Sequence, residues 1–247
     1  MNQSNKLIVI VGGTRGIGKE IVSTLYSEYK IAVIYEKNQT AADLLTQNFP
    51  NIKVYCSDVT NLESVQNTYK KIKKEFNQTP YGLIYSAGIS NIMLHLMDDL
   101  NLHRKTFEVN YFGLINWAKT ISSDLCRERT GSIIYLSSNS VANNTLGLSA
   151  YCSSKIAGEK FMQILGSELG KYNISCNVIR PGLTKTEMPQ PLLDKLSKEQ
   201  IENILLPTGD FNKAIDTANA VKFLLGSSGI NSTVITIDSG HALYRSL

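Results

Sequence analysis

Short apolar runs alternate with longer stretches of helical periodicity along nearly the whole chain. Residues 6–11, K-L-I-V-I-V, are continuously apolar after the lysine, the pattern of a strand buried on both faces of a parallel sheet. Similar runs recur at Ile31–Tyr35, at I-K-V-Y-C-S over 52–57, at Tyr81–Tyr85, at G-S-I-I-Y-L from residue 131, at I-S-C-N-V-I-R over 174–180 and at T-V-I-T-I-D over 233–238. Amphipathic stretches lie between them: Lys19 to about Tyr29, Thr40 to Phe49, a lysine-rich segment carrying Val65, Tyr69, Ile72 and Phe76, one or two helices from Asp98 to Arg127, Tyr151 to about Tyr172, and Asp216 to Leu225. This alternation predicts an α/β fold, a single doubly wound domain over residues 1–247 with a seven-stranded parallel sheet. Ligands of such a sheet bind at the carboxyl ends of its strands.

The first strand runs directly into Gly12, Gly13, Thr14, Arg15, Gly16, Ile17 and Gly18, and then into a helix. A glycine turn between strand and helix lets backbone N–H groups and the positive helix end approach a pyrophosphate with no Cβ in the way. The spacing is G-x-x-x-G-x-G rather than G-x-G-x-x-G. The second strand ends at Glu36 and Lys37, where the ribose of a dinucleotide belongs. A carboxylate there suits the 2′-OH of NAD, whereas Arg15 and Lys37 suit the 2′-phosphate of NADP, so NADP(H) is favoured and NAD(H) stays open. The third strand stops at Asp58 and Val59; Asp58 either meets the adenine or caps the next helix. Ser86, Ala87 and Gly88 make a small-residue turn after the fourth strand that lets a cofactor lie close.

Candidate chemistry gathers further along. Tyr151 and Lys155 are one helical turn apart and therefore share a face. A phenol with a pKa near ~10 carries protons poorly at neutral pH, and an adjacent ammonium is expected to lower that pKa, making Tyr151 a general acid or base. Ser138, at the end of the fifth strand, is placed to hydrogen-bond a substrate oxygen. Asn110 lies in the apolar helical segment F-E-V-N-Y-F-G and needs partners there, as a holder of a water in a proton chain or as a satisfied structural amide. Pro181 and Gly182 end the sixth strand, and the proline-containing segment after it is expected to form a mobile substrate lid at about 185–210.

Composition narrows the classes. The chain of 247 residues is 43% hydrophobic and 19% charged, and no apolar run approaches the ~18 residues of a membrane span. The N-terminus lacks the pattern of a secretory signal, and four cysteines without C-x-x-C spacing point to free thiols in a reducing cytoplasm. Cys152, beside Tyr151, is expected to be a packed small side chain. With three histidines and no metal-ligand spacing, no metal site is expected. The net charge of +4 is modest, and Lys70, Lys71, Lys73 and Lys74 read as the solvated face of a helix rather than a nucleic-acid surface.

Taken in this order, the residues resemble the short-chain dehydrogenase/reductase family, and within it the 3-oxoacyl-carrier-protein reductase type, from Lys6 to about His241. The family's glycine signature corresponds to Gly12, Gly16 and Gly18, its adenine-contacting acid to Asp58, and its active-site set to Asn110, Ser138, Tyr151 and Lys155. Its P-G element falls on Pro181 and Gly182 with Thr186, and Thr184 sits where the backbone holds the nicotinamide amide. The chain departs from the family at Val11, at Tyr81, at Tyr85-Ser86-Ala87-Gly88 in place of N-N-A-G, and at Ser239-Gly240. The resemblance implies reduction of a ketone to a secondary alcohol, or the reverse, with hydride from nicotinamide and the proton from Tyr151. Alternatives are NAD-dependent oxidation of a polyol, sugar or steroid alcohol, and a catalytically silent dinucleotide sensor. It further implies a small carbonyl or alcohol substrate, a carrier-protein partner docked through Arg129 and Lys171, and a homo-oligomer, tetramer or dimer. Asn139, Val141 and Asn144 are expected to line the substrate side.

Overall fold

The computed structural model describes residues 5–142, 145–194, 197–205 and 207–241. Each apolar run forms a strand: β1 (Leu7–Val11), β2 (Lys30–Tyr35), β3 (Lys53–Cys56), β4 (Gly82–Tyr85), β5 (Gly131–Leu136), β6 (Ile174–Pro181) and β7 (Val234–Ile237). All six pairings are parallel, and the order across the sheet is β3-β2-β1-β4-β5-β6-β7. The direction of winding reverses between β1 and β4, which opens a crevice at their carboxyl ends.

Helices cover both faces because the strands are apolar on both. Leu7, Val9 and Val11 point into one core with Tyr69, Ile72, Trp117, Ile121 and Met162. These belong to α3 (Leu62–Phe76), α5 (Gly113–Glu128) and α6 (Ser149–Leu169). Ile8 and Ile10 point into the other, with Ile21, Leu25, Leu45, Val221 and Leu224. That layer is α1 (Gly16–Leu25), α2 (Gln39–Asn48) and α9 (Ala214–Gly226), while α4 (Leu100–Phe107), α7 (Gln190–Leu193) and α8 (Lys198–Ile204) lie in the connections.

The segment from Asp98 to Arg127 resolves into α4 and α5 joined by a π turn over Glu108–Phe112, where Gly113 N–H donates to Glu108 O five residues back. The N-cap of α3 is Asn61, whose side chain accepts from Ser64 N–H; Asp58 is not the cap. Lys70, Lys71 and Lys74 are exposed as the pattern implied. Lys73 instead turns inward to the buried Asp124, at 2.6 Å, because Asp124 also holds Tyr69 and Arg127 and needs the charge. Among the described residues no helix is long and apolar enough to cross a membrane, and no cluster of potential metal ligands occurs.

Candidate active site and dinucleotide cradle

The glycine turn is built for close backbone approach. Gly12 has φ +80° and Gly16 φ +53°; a Cβ on Gly12 would lie 2.7 Å from the Ala87 backbone, and one on Gly18 would overlap the Gly12 carbonyl oxygen. Gly12 N–H donates to Ile34 O at 2.9 Å and Ser86 N–H to Val11 O at 2.9 Å, which seats the two turns side by side over the crevice. Arg15 starts α1 with extended backbone and no side-chain cap, and the first turn carries no acid, so the helix N–H groups remain available to an anion. Thr14 is buried, Ile17 packs on the apolar layer beneath, and Arg15 is exposed.

At the ribose corner, Ser57 N–H donates to Tyr35 O, bringing the end of β3 beside that of β2. Lys37 pairs with Glu36 at 3.0 Å, both well exposed, so each charge predicted to read the ribose is matched by the other. Asp58 accepts from Thr60 N–H at 2.9 Å and Thr60 Oγ1 at 2.8 Å through one carboxylate oxygen. Val59 is buried and its carbonyl accepts from Asn116 at 3.0 Å, which ties this turn to α5.

Ser138, Tyr151, Lys155 and Asn110 come together. The Ser138 side chain stands close enough to the Tyr151 hydroxyl to lower its pKa. Ser138 Oγ also lies 2.7 Å from Ser140 Oγ and accepts from Ser140 N–H. Lys155 is 3% exposed, donates to Leu136 O at 2.8 Å, and lies over the rings of Tyr135 and Tyr151 at 4.9 and 5.8 Å. The expected lowering of the Tyr151 pKa is corrected here. Burial pushes it up to about 12, against the opposing influence of Ser138. The same burial takes Lys155 down to about 7, with Glu159 acting the other way. In a dry site both groups favour their neutral forms, so the lysine lacks the fixed charge that the sequence argument gave it.

Asn110 is fully buried, and its amide is spent on structure: Oδ1 accepts from Ile89 N–H at 2.8 Å, and Nδ2 donates to Ile89 O and to Ser154 Oγ, each at 3.0 Å. Ser154 in turn donates to Tyr151 O at 2.7 Å. One amide therefore pins both the loop after Gly88 and the helix of Tyr151. A Cβ on Gly88 would stand 3.2 Å from Lys155 Nζ and 3.3 Å from Asn110 Oδ1, so that glycine keeps the gap between them open.

Several contributors escaped the sequence reading. Ser154 was one, and Glu159 another: buried one turn beyond Lys155, it grips Arg180 with two hydrogen bonds, at 2.8 and 2.5 Å, and accepts from Ser137 at 2.6 Å, locking the ends of β5 and β6 behind Ser138. The 151/155/159 spacing, with a carboxylate on an inward face, was the available signal. Asn139 is buried with its amide toward Asp238, not toward the substrate side, while Val141 is half-buried and Asn144 lies outside the described residues.

Beyond β6, Pro181, Gly182 and Thr184 are buried, and Thr184 Oγ1 donates to Gly182 O. Thr184 pairs with Asn212 in an isolated parallel bridge and Asn212 N–H donates to Leu183 O, so the excursion carrying α7 and α8 leaves and rejoins the sheet at one point. Thr186 reaches back to within 3.4 Å of where a Gly16 Cβ would be. A cavity of about 740 Å³ lies between this segment and the glycine turn, lined by Gly16, Glu20, Lys185, Thr186, Glu187 and Gln190 among others. Arg129 donates to Lys171 O, and both flank Tyr172. They sit at the amino ends of β5 and β6, roughly 20 Å along the strands from Ser138, and so do not border the site of their own chain.

A crevice at a winding reversal, a glycine turn opening a helix and a half-buried Ser138 beside buried Tyr151 and Lys155 give the chain the layout of a nucleotide-binding oxidoreductase. The short chain dehydrogenase family model matches residues 6–197, and the chain belongs to that family, whose members bind NAD(P). It is 32% identical over 241 residues to carbonyl reductase family member 4 of Xenopus laevis, covering 97% of this chain and 99% of the relative. It is 28% identical over 243 residues to the human 3-oxoacyl-[acyl-carrier-protein] reductase, covering 96% and 98%. Among solved structures, ElxO with NADP bound superposes with a TM-score of 0.88 at 26% identity, covering 97% of this chain and 99% of that one. The cradle fits a dinucleotide's pyrophosphate, since the first turn of α1 has no side-chain cap and no acid and so leaves its N–H groups to an anion.

Proposed function

We propose that this chain reduces a ketone to a secondary alcohol with NAD(P)H, NADPH being favoured. The observation that carries the reading is the gathering of Ser138, the Tyr151 hydroxyl and buried Lys155 at the edge of the Ser86–Gly88 turn. Bound nicotinamide supplies the hydride. A carbonyl oxygen seated against Ser138 and Tyr151 meets two O–H donors, which stabilise the charge developing on it. Tyr151, kept protonated by burial, is the general acid. Once it gives up its proton, the phenolate favours the ammonium form of Lys155, whose pKa of about 7 lets it gain or lose a proton near neutrality. Asn110 Oδ1 keeps one lone pair beyond its bond to Ile89 and, like Lys155 Nζ, lies beside Gly88, so this reading includes a relay water between the two.

Gly12, Thr14, Arg15, Gly16, Ile17 and Gly18 cradle the pyrophosphate side, Asp58 and Val59 the adenine, and Ser86, Ala87, Gly88, Lys155, Pro181, Gly182, Thr184 and Thr186 the nicotinamide side. Arg15 and Lys37 favour the 2′-phosphate, and a relative's structure carrying NADP supports that preference. Residues 185–210 form the lid, hinged at the Thr184–Asn212 bridge, and the chain works as a homo-oligomer in the cytoplasm. A 3-oxoacyl or polyketide-like ketone suits the relatives' activities. An acidic carrier on Arg129 and Lys171 would have to serve a site on another copy.

Tyr151→Phe is expected to leave the NADPH dissociation constant within about twofold while turnover falls by about 10²–10⁴. Near-normal turnover of the variant on a ketone that the wild type reduces would remove Tyr151 from this role. The second reading, NAD-dependent oxidation of a polyol, sugar or steroid alcohol, is favoured by Glu36 at the end of β2. Parallel NADH and NADPH titrations separate the two.

A further inference from the structure

The π turn that presents Asn110 is held from below by two buried phenols. Tyr85 on β4 and Tyr135 on β5 are register partners across the sheet, fully buried, with ring centroids 6.2 Å apart. Tyr85 donates to Val109 O at 2.5 Å and Tyr135 to Asn110 O at 3.2 Å, so successive carbonyls of one turn receive hydroxyls from successive strands. Val109 O is the acceptor that an ordinary α-helix would give to Gly113 N–H, which instead bonds Glu108 O. Room for the phenols is left by glycines: a Cβ on Gly113 would overlap the Tyr85 hydroxyl, and one on Gly158 would lie 2.6–2.8 Å from the Tyr135 ring and hydroxyl. Burial raises both phenol pKa values, so the two hydroxyls stay protonated and remain donors.

We propose that Tyr85 and Tyr135 are positioning residues that hold residues 108–112 in the π register and thereby aim Asn110 at Ile89 and Ser154. Without the two donors, carbonyls in a dry interior lose their partners, and the turn gains by reverting to α-helical bonding. One residue of register is about 100° of helix rotation, enough to carry the Asn110 amide away from both contacts. The loop after Gly88 and the backbone of Tyr151 would lose their common anchor.

The test uses Tyr85→Phe, Tyr135→Phe and the double variant of the intact chain. Its structural arm is hydrogen exchange at the Ile89 amide, which Asn110 Oδ1 protects, with the Ile84 amide in β4 as the control. Exchange at Ile89 is expected to rise about tenfold in the double variant and less in each single one, with Ile84 unchanged. The kinetic arm rests on the proposed ketone reduction: kcat should fall about tenfold while KM and NADPH affinity stay within about twofold. Should the double variant lose its fold, seen as faster exchange at Ile84, the single variants decide. Unchanged Ile89 exchange in those variants overturns the assignment. A wild type that reduces no ketone sinks only the functional reading, because the exchange arm needs no substrate.

Discussion

Within the candidate catalytic set, burial moves each ionisable group against the pull of a neighbour, Ser138 for Tyr151 and the Glu159 charge for Lys155, and burial wins. Lys155 sits at about 7 instead of its ordinary 10.5, so between those values the unfolded chain binds a proton that the folded chain does not. Stability contributed by this group therefore rises as pH climbs from about 7 to about 10.5, and the penalty is fully present below 7. Lys155→Met is expected to gain stability relative to wild type below pH 7, on the order of a few kcal/mol, and to lose that advantage progressively toward pH 10.5. Urea unfolding at a series of pH values checks it; a pH-independent difference would contradict the buried-amine reading. Ser138, Tyr151 and Lys155 were legible as a set because helix spacing and a strand end are sequence properties. The sign of the Tyr151 shift was not, because it depends on how much water the packed chain excludes.

Elements differ in how much of their geometry is local. The strand–glycine turn–helix unit was readable in full because an apolar run passing through glycines into a helix is a local pattern, although the contacts for which Gly12 and Gly16 leave room, with Ala87 and Thr186, come from distant segments. Gly12→Ala is expected to weaken NADPH binding about tenfold or more, through strain at φ +80° and contact with the Ala87 backbone, with the circular dichroism spectrum retained. Fluorescence titration of NADPH measures the loss, and unaltered affinity would place the pyrophosphate elsewhere. The turn around Asn110 was not readable. F-E-V-N-Y-F-G has helical periodicity, and what shifts it into a π turn comes from β4 and β5, distant in sequence. The capping role open to Asp58 went to Asn61 for a local reason: the chain needs the extra turn closed by Thr60 before α3 can begin.

Across the whole molecule, the sheet brings the ends of β1 to β6 to one rim, and every candidate site residue follows such an end or belongs to the helices packed against it. A ligand held by so many elements is coupled to global folding. NADPH at 100 times its dissociation constant is expected to stabilise the chain by about 2.7 kcal/mol, and NADH at the same concentration by less. Thermal melts with each cofactor test this, and a larger shift with NADH would reverse the preference drawn from Arg15 and Lys37. Exposed Phe112, Ile156 and Ile164 lie on the π turn and α6.

The sequence by itself determined the seven strands, the helices between them, the glycine cradle and the Ser/Tyr/Lys set, because periodicity, turn chemistry and one-turn spacing are short-range properties of a chain. Only the tertiary structure decided that burial outweighs the charge expected beside Tyr151, that Arg129 and Lys171 face away from their own site, and that two strand tyrosines meet the turn bearing Asn110. Those outcomes depend on which distant segments are packed together and on how completely they exclude water, and neither is written in any local pattern.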